Sequence, residues 1–239
     1  MRRSFFSSFF RNRFARRVAL PVFGLGSLAS FVAASEKEQE SVDVDSVASP
    51  PPPHFDFVLV GGGIAAYMAA RELRDKKKDA SVLLIGDELY SPYLRPPLSK
   101  NLWRASSDES EALVFPSSDG SLMSVWASGE LKDEGMSDVV SKRVVGHVRS
   151  VDVAAHKVQL EDETEFSYGK LLLATGARAV SLAHIEPAIA DRVMTLRSLD
   201  DWKRLRKVAN AGGSVSIVGG GYLGSELASS LAENTDCKV

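Results

Sequence analysis

The sequence predicts an α/β protein in which two strand–turn–helix units, each turning on a glycine cluster, flank a small antiparallel β-meander. Three observations predict it. Phe55-Asp56-Phe57-Val58-Leu59-Val60 is a short apolar run that meets Gly61-Gly62-Gly63, after which Ala- and Leu-bearing residues continue to Arg74 without Pro or Gly. Ser214-Val215-Ser216-Ile217-Val218 runs into Gly219-Gly220-Gly221 in the same way. Between the two, residues 139–168 alternate apolar and polar side chains between short turns. Short apolar runs bounded by glycine read as buried strands, the longer run as a helix, and strict alternation as strands with one covered face.

Taken in order, the chain begins with a targeting region. Residues 1–34 hold six arginines, many Ser and Phe and no acid, the composition of a mitochondrial presequence. Residues 18–34 are uncharged and mostly apolar, though broken by Pro21, Gly24 and Gly26. They approach the roughly 17–25 residues that a spanning helix needs, and an anchor in the mitochondrial inner membrane is expected there. A secretory signal peptide cleaved near Ala33 or Ala34 is the alternative. Residues 35–54 turn acidic and Ser-rich and carry four prolines at 50–53, which reads as a solvated linker, semi-rigid at its proline end.

Composition sets broad limits on function. With 29 basic and 31 acidic residues the chain has no general field for polyanions, and no nucleic-acid partner is predicted. Cys237 is the one cysteine, so no disulfide framework, CxxC redox pair or cysteine metal site can form within the chain. His54, His147, His156 and His184 are scattered and read as loop or strand residues, so no metal site is expected.

The first glycine cluster comprises Gly61, Gly62, Gly63, Ile64, Ala65 and Ala66. With Gly61, Gly63 and Ala66 as its small positions it is a GxGxxA turn, whose missing side chains let the backbone turn, approach a pyrophosphate and pack helix on strand. The phosphates would sit at the helix N-terminus, where free N–H groups and the macrodipole favour negative charge. A second strand, Ser81-Val82-Leu83-Leu84-Ile85, ends in Gly86-Asp87-Glu88, which places Asp87 or Glu88 to accept hydrogen bonds from a ribose. Leu171-Leu172-Leu173-Ala174-Thr175-Gly176 reads as another buried strand ending in small residues. The second cluster, Gly219, Gly220, Gly221, Tyr222, Leu223 and Gly224, is a full GxGxxG. Strand order 3-2-1 is implied for each unit. Glu226 is expected in the first turn of the following helix, where the dipole alone would suit an acid.

Ser91-Pro92-Tyr93-Leu94-Arg95-Pro96-Pro97-Leu98-Ser99-Lys100 is rigid and carries two cations. It is similar to a segment shared by ferredoxin-reductase-type flavoproteins and apoptosis-inducing factors, and Ser99-Lys100-Asn101-Leu102-Trp103 resembles the latter group in particular. The order of the two glycine units resembles the glutathione-reductase superfamily. What the resemblance implies is a flavoprotein with two dinucleotide-binding (Rossmann) domains: an FAD domain over residues 55–198, then the start of an NAD domain over 199–239, with the chain ending inside the NAD unit.

The same resemblance assigns residues. Arg95 and Arg197 would contact FAD, Val148 with Arg149 beside it would lie against the adenine, and Thr175 and Gly176 would belong to an ATG motif near the cofactor. Lys100 would reach the flavin near N5 and pair with Glu226, making these two the catalytic candidates, while Tyr222 would flank the nicotinamide. Trp126 lies in a stretch over the flavin edge, and a packing role is expected for it. The implied activity is hydride transfer from NADH to flavin N5, then to an unidentified electron acceptor, with no protein nucleophile. The absence of a CxxxxC after the first cluster argues against the disulfide-reductase branch. The resemblance also implies respiratory-chain biogenesis partners, a place on the inner membrane facing the intermembrane space and a role in cell death. A ferredoxin-reductase-type electron carrier and a short, non-catalytic partner-binding product are the alternatives.

Overall fold

The computed structural model describes residues 50–239 except 132, 134 and 183. The expected presequence, the anchor at 18–34 and most of the linker lie outside the described residues. Among the described residues no helix is long and apolar enough to cross a membrane.

The first unit folds as its local sequence dictates. Strand β1 (His54–Val60), helix α1 (Ile64–Lys76) and strand β2 (Val82–Gly86) form a parallel β-α-β crossover, with Phe57 to Val60 in register with Val82 to Ile85. From Val58 in β1 and along all of β2 the strands are covered on both faces, which is why these stretches are apolar. Leu59, Val82 and Leu84 face α1 through Ala66, Tyr67 and Ala70. Val58, Val60, Leu83 and Ile85 face the other way, the period-two alternation of a strand used twice.

A short helix α2 (Ser107–Glu111) and a hairpin of β3 (Val114–Pro116) and β4 (Leu122–Ser124) follow. Strand β5 (Lys142–Val145) then departs from expectation. It pairs in parallel with β2 and is the third strand of the first unit, whereas the alternating pattern had placed it in the meander. Its order, β5-β2-β1, is the expected 3-2-1. The meander itself is β6 (Val148–Asp152), β7 (Lys157–Leu160) and the first part of β8 (Glu165–Leu173). Strand β8 is continuous. Its first residues, Glu165 to Ser167, pair antiparallel with β7, and Ser167 to Leu173 pair in parallel with β1, so the expected separate strand from Leu171 is the second half of a longer one. Leu172 and Leu173 are exposed there, a correction to the buried reading.

Helices α3 (Leu199–Asn210) and α4 (Tyr222–Asn234) complete the order. Helix α3 opens with a full capping box, in which the Ser198 hydroxyl accepts from the Asp201 amide and the Asp201 carboxylate accepts from the Ser198 amide. The expected strand over 214–218 does not form. Among the described residues its ladder is reduced to one parallel bridge between Ser214 and Lys238, because a strand needs a neighbour at every step and none lies beside Ile217 or Val218. A single core joins α3 and α4 to the 93–126 region, with Leu98, Leu102, Trp103, Trp126, Leu199, Trp202, Leu227 and Leu231 packed together. Trp126 therefore packs, as expected.

Candidate nucleotide and flavin site

The first turn is built by steric necessity. Gly61 has φ +129°, and a Cβ on it would lie 2.1 Å from the Ala174 carbonyl oxygen, so the turn can pass only because that side chain is missing. This contact seats residues 174–176, including Thr175 and Gly176, against the first glycine cluster. Gly63 is the N-cap of α1, without a side-chain cap and without an acid in the first turn. A Cβ there would meet nothing within 4 Å. The helix thus offers uncapped N–H groups to open space, the cradle a pyrophosphate needs. Ala66 is buried beneath it, while Ile64 and Ala65 face outward.

The two acids after β2 have different roles. Glu88 uses both oxygens: Oε1 receives Arg95 Nη2 at 2.6 Å and Oε2 receives the Tyr93 hydroxyl at 2.5 Å. Asp87 is exposed and has no side-chain partner among the described residues, which leaves it the free acceptor at this strand end. Arg95 also donates to Tyr93 Oη at 3.1 Å and to the Arg197 carbonyl at 2.7 Å, and its guanidinium lies over the Tyr93 ring. The Arg197 side chain is exposed and approaches Gly176. Gly146 donates to the Gly86 carbonyl at 2.8 Å, which brings the start of β6, with half-buried Val148 and exposed Arg149, beside the end of β2.

Tyr93 is a residue the sequence reasoning passed over. Its hydroxyl donates to Glu88 and accepts from Arg95 and from the Leu199 amide at 2.9 Å. Burial, followed by donation to the Glu88 carboxylate, raises its pKa well above the ordinary tyrosine range and keeps it protonated.

In the second unit a Cβ on Gly224 would lie 2.3 Å from the Gly219 carbonyl, the close helix-to-turn packing that the third small position serves. Gly219, Gly220 and Gly221 border open space, Gly221 caps α4, and Tyr222 and Leu223 are exposed at its start. Glu226 is the fifth residue of α4 and lies beyond its first turn, so the helix dipole is not what the acid serves. It pairs instead with Lys100. The Ser99 hydroxyl donates to the same carboxylate oxygen at 3.0 Å. Lys100 first and Ser99 second hold the Glu226 carboxyl below its usual pKa.

Residues 55–239 match the pyridine nucleotide-disulphide oxidoreductase family. The chain belongs to that family. Its members are FAD- and NAD(H)-binding oxidoreductases. The likeness to apoptosis-inducing factors is also borne out. The chain is 35% identical over 205 residues to a Drosophila melanogaster relative named for apoptosis-inducing factor 1, covering 79% of this chain and 28% of the relative. It is 31% identical over 222 residues to the mitochondrial apoptosis-inducing factor 1 of Dictyostelium discoideum, covering 83% and 41%. A solved ferredoxin reductase from Rhodopseudomonas palustris is 30% identical with a TM-score of 0.58, covering 76% of this chain and 41% of that one. The chain therefore spans less than half the length of these relatives.

The donor set fits the family's cofactors. Two uncapped helix N-termini face open space, a free carboxylate follows β2, and two guanidiniums stand beside the first cradle. A separate groove lined by Asp56, Phe57, Lys76, Lys77, Lys78 and Lys170 lies at the opposite end of β1 and holds none of these residues. No group of three or more His, Cys, Asp or Glu positioned for a metal occurs among the described residues.

Proposed function

We propose that this chain carries the nucleotide-facing part of an FAD-dependent NADH oxidoreductase of the apoptosis-inducing-factor type. The observation that carries the proposal is the Lys100–Glu226 pair, which joins the segment after the first glycine unit to the helix of the second. Two nucleotide units alone would bind two nucleotides; a cation fixed between them gives the transfer between them a charge to work against.

Bound FAD would supply the hydride-accepting centre. The α1 N-terminus would hold its pyrophosphate, Arg95 and Arg197 would offset phosphate charge, Asp87 would accept from the ribose, and the 146–149 turn would lie by the adenine. Lys100 would face the flavin and favour the negative charge that reduction develops, and Glu226 would pair with the lysine there. The α4 N-terminus receives the phosphates of NADH, with Tyr222 flanking the nicotinamide. Alignment and charge carry the rate, and no side chain forms a bond to substrate. By the same resemblance we place the protein in the mitochondrion, anchored by residues 18–34 to the inner membrane and facing the intermembrane space, with respiratory-chain biogenesis partners and a role in cell death.

A ferredoxin-reductase-type electron carrier is the second reading, favoured by the ferredoxin reductase among the similar structures. One experiment addresses both. The chain is incubated with FAD, desalted and scanned for flavin absorption before and after NADH, then offered cytochrome c or a ferredoxin. A retained band that bleaches with NADH supports the oxidoreductase, and preferential ferredoxin reduction favours the second reading. No retained flavin would sink both and leave a partner-binding role.

A further inference from the structure

We infer that Ser99 is the positioning residue of the Lys100–Glu226 pair, gripped at two points by α4 so that the second glycine unit sets where the lysine stands. The inference rests on the role given above to that pair and goes one residue beyond it. Ser99 is 2% exposed. Its hydroxyl donates to Glu226 Oε2 at 3.0 Å and accepts from Lys100 Nζ at 3.3 Å. Its carbonyl accepts from the Ser230 hydroxyl at 2.9 Å. Glu226 and Ser230 are four residues apart on one face of α4, so a single helix face holds both the side chain and the backbone of Ser99.

Physical chemistry gives this arrangement a purpose. The Lys100 and Glu226 side chains are 41% and 35% exposed, and an ion pair that open to water is weak and poorly directed. Lysine adds a flexible stem with three rotatable donors. A buried hydroxyl that accepts from the ammonium and donates to the carboxylate supplies the missing direction, because both bonds have a preferred angle and the hydroxyl cannot move with solvent. It also gives Glu226 Oε2 a second donor, which keeps the carboxylate ionised opposite the lysine. The competing role is local: the same hydroxyl lies 3.3 Å from the Pro96 carbonyl and could simply close its own turn.

Carbon-13 labelling of the glutamate carboxyls in the whole chain separates these roles without flavin. The Glu226 signal is assigned with Glu226→Gln and followed against pH. Ser99→Ala is expected to move the Glu226 midpoint up toward the ordinary carboxylate value, Ser99→Thr to restore it, and Ser230→Ala to leave it low. An unchanged Glu226 midpoint in a folded Ser99→Ala chain overturns the inference. Should Ser99→Ala not fold, Ser99→Val removes the hydroxyl while filling its space, and a wild-type midpoint there overturns it equally. In the flavin-loaded chain, Ser99→Ala should retain its flavin yet slow NADH bleaching on the order of tenfold, the cost of a misplaced group. Failure to retain flavin in the wild type would defeat the proposed function while leaving the titration to judge Ser99.

Discussion

Replacing Tyr93 with Phe isolates one buried hydroxyl. The ring stays, and with it the Arg95 guanidinium 5.1 Å above its centre and the edge-to-face contact with Tyr90 at 6.4 Å. What disappears is a donor to Glu88 and an acceptor for the Leu199 amide and for Arg95, which keeps its bonds to Glu88 and the Arg197 carbonyl. That amide is the first of α3, one of the four that a helix cannot satisfy internally. A buried orphan amide costs about 1–3 kcal/mol and a lost charge-assisted bond about 1.5–3 kcal/mol. Glu88 keeps Arg95 on its other oxygen and is partly open to water, so the second figure is discounted, and the sum expected is about 2–4 kcal/mol. For a folded region of this size that lowers Tm by about 5–15 °C.

Urea and thermal unfolding of wild type and Tyr93→Phe measure it. A pH series adds a signature that packing loss would not give. The folded pKa is raised above the ordinary 10.0, so the hydroxyl contributes stability fully below pH 10 that wanes as pH climbs toward the folded value. The wild-type curve should decline there and the variant's should be flatter. A loss below about 0.5 kcal/mol, within the range of neutral surface changes, or parallel alkaline limbs, would refute the reasoning.

Gly61→Ala should abolish folding, since its Cβ would overlap the Ala174 carbonyl, whereas Gly63→Ala should fold, with its Cβ in open space, and lose flavin retention; circular dichroism and flavin absorption after desalting separate the two. Ser198→Ala removes one half of the α3 capping box and should cost about 1 kcal/mol by urea midpoint. Asp56 is held below the usual carboxylate pKa by the Ser81 amide first and hydroxyl second, so its contribution is present above the ordinary value and lost as pH falls through the folded one. The acid limb of an unfolding-versus-pH curve should therefore be shallower in Asp56→Asn.

The first unit was legible because its information is local: an apolar run, a glycine turn, a helix and a second apolar run, each adjacent to the next. Strand β5 was not, because Lys142–Val145 owes its place to a strand some 60 residues earlier, and as a short, partly exposed edge strand it has no buried apolar run of its own to set it apart from the meander that follows. The continuity of β8 escaped for a related reason. Its two halves have different neighbours, so its pattern changes from alternating to apolar midway and reads as two elements. The Lys100–Glu226 pair was legible only through family resemblance, since no spacing rule relates positions 126 apart. Tyr93 and Ser99 carried no signal beyond membership in a proline-rich motif, and the roles of both lie in partners contributed by distant helices.

Those partners show what the 88–100 segment does physically. Arg95 reaches the Arg197 carbonyl, Tyr93 the Leu199 amide, and Ser99 and Lys100 reach Glu226. Every one of these contacts closes a loop of more than 100 residues, so each must overcome a large ordering cost. Pro92, Pro96 and Pro97 reduce that cost by fixing φ before folding, and Trp103 anchors the end of the segment through its indole N–H on the Leu98 carbonyl at 2.8 Å. A stiff segment tied to α3 at one end and α4 at the other transmits displacement instead of absorbing it. On the proposed function, alignment on the flavin side and on the nicotinamide side would be set by one piece of chain, and a change that loosens either tie should disturb both.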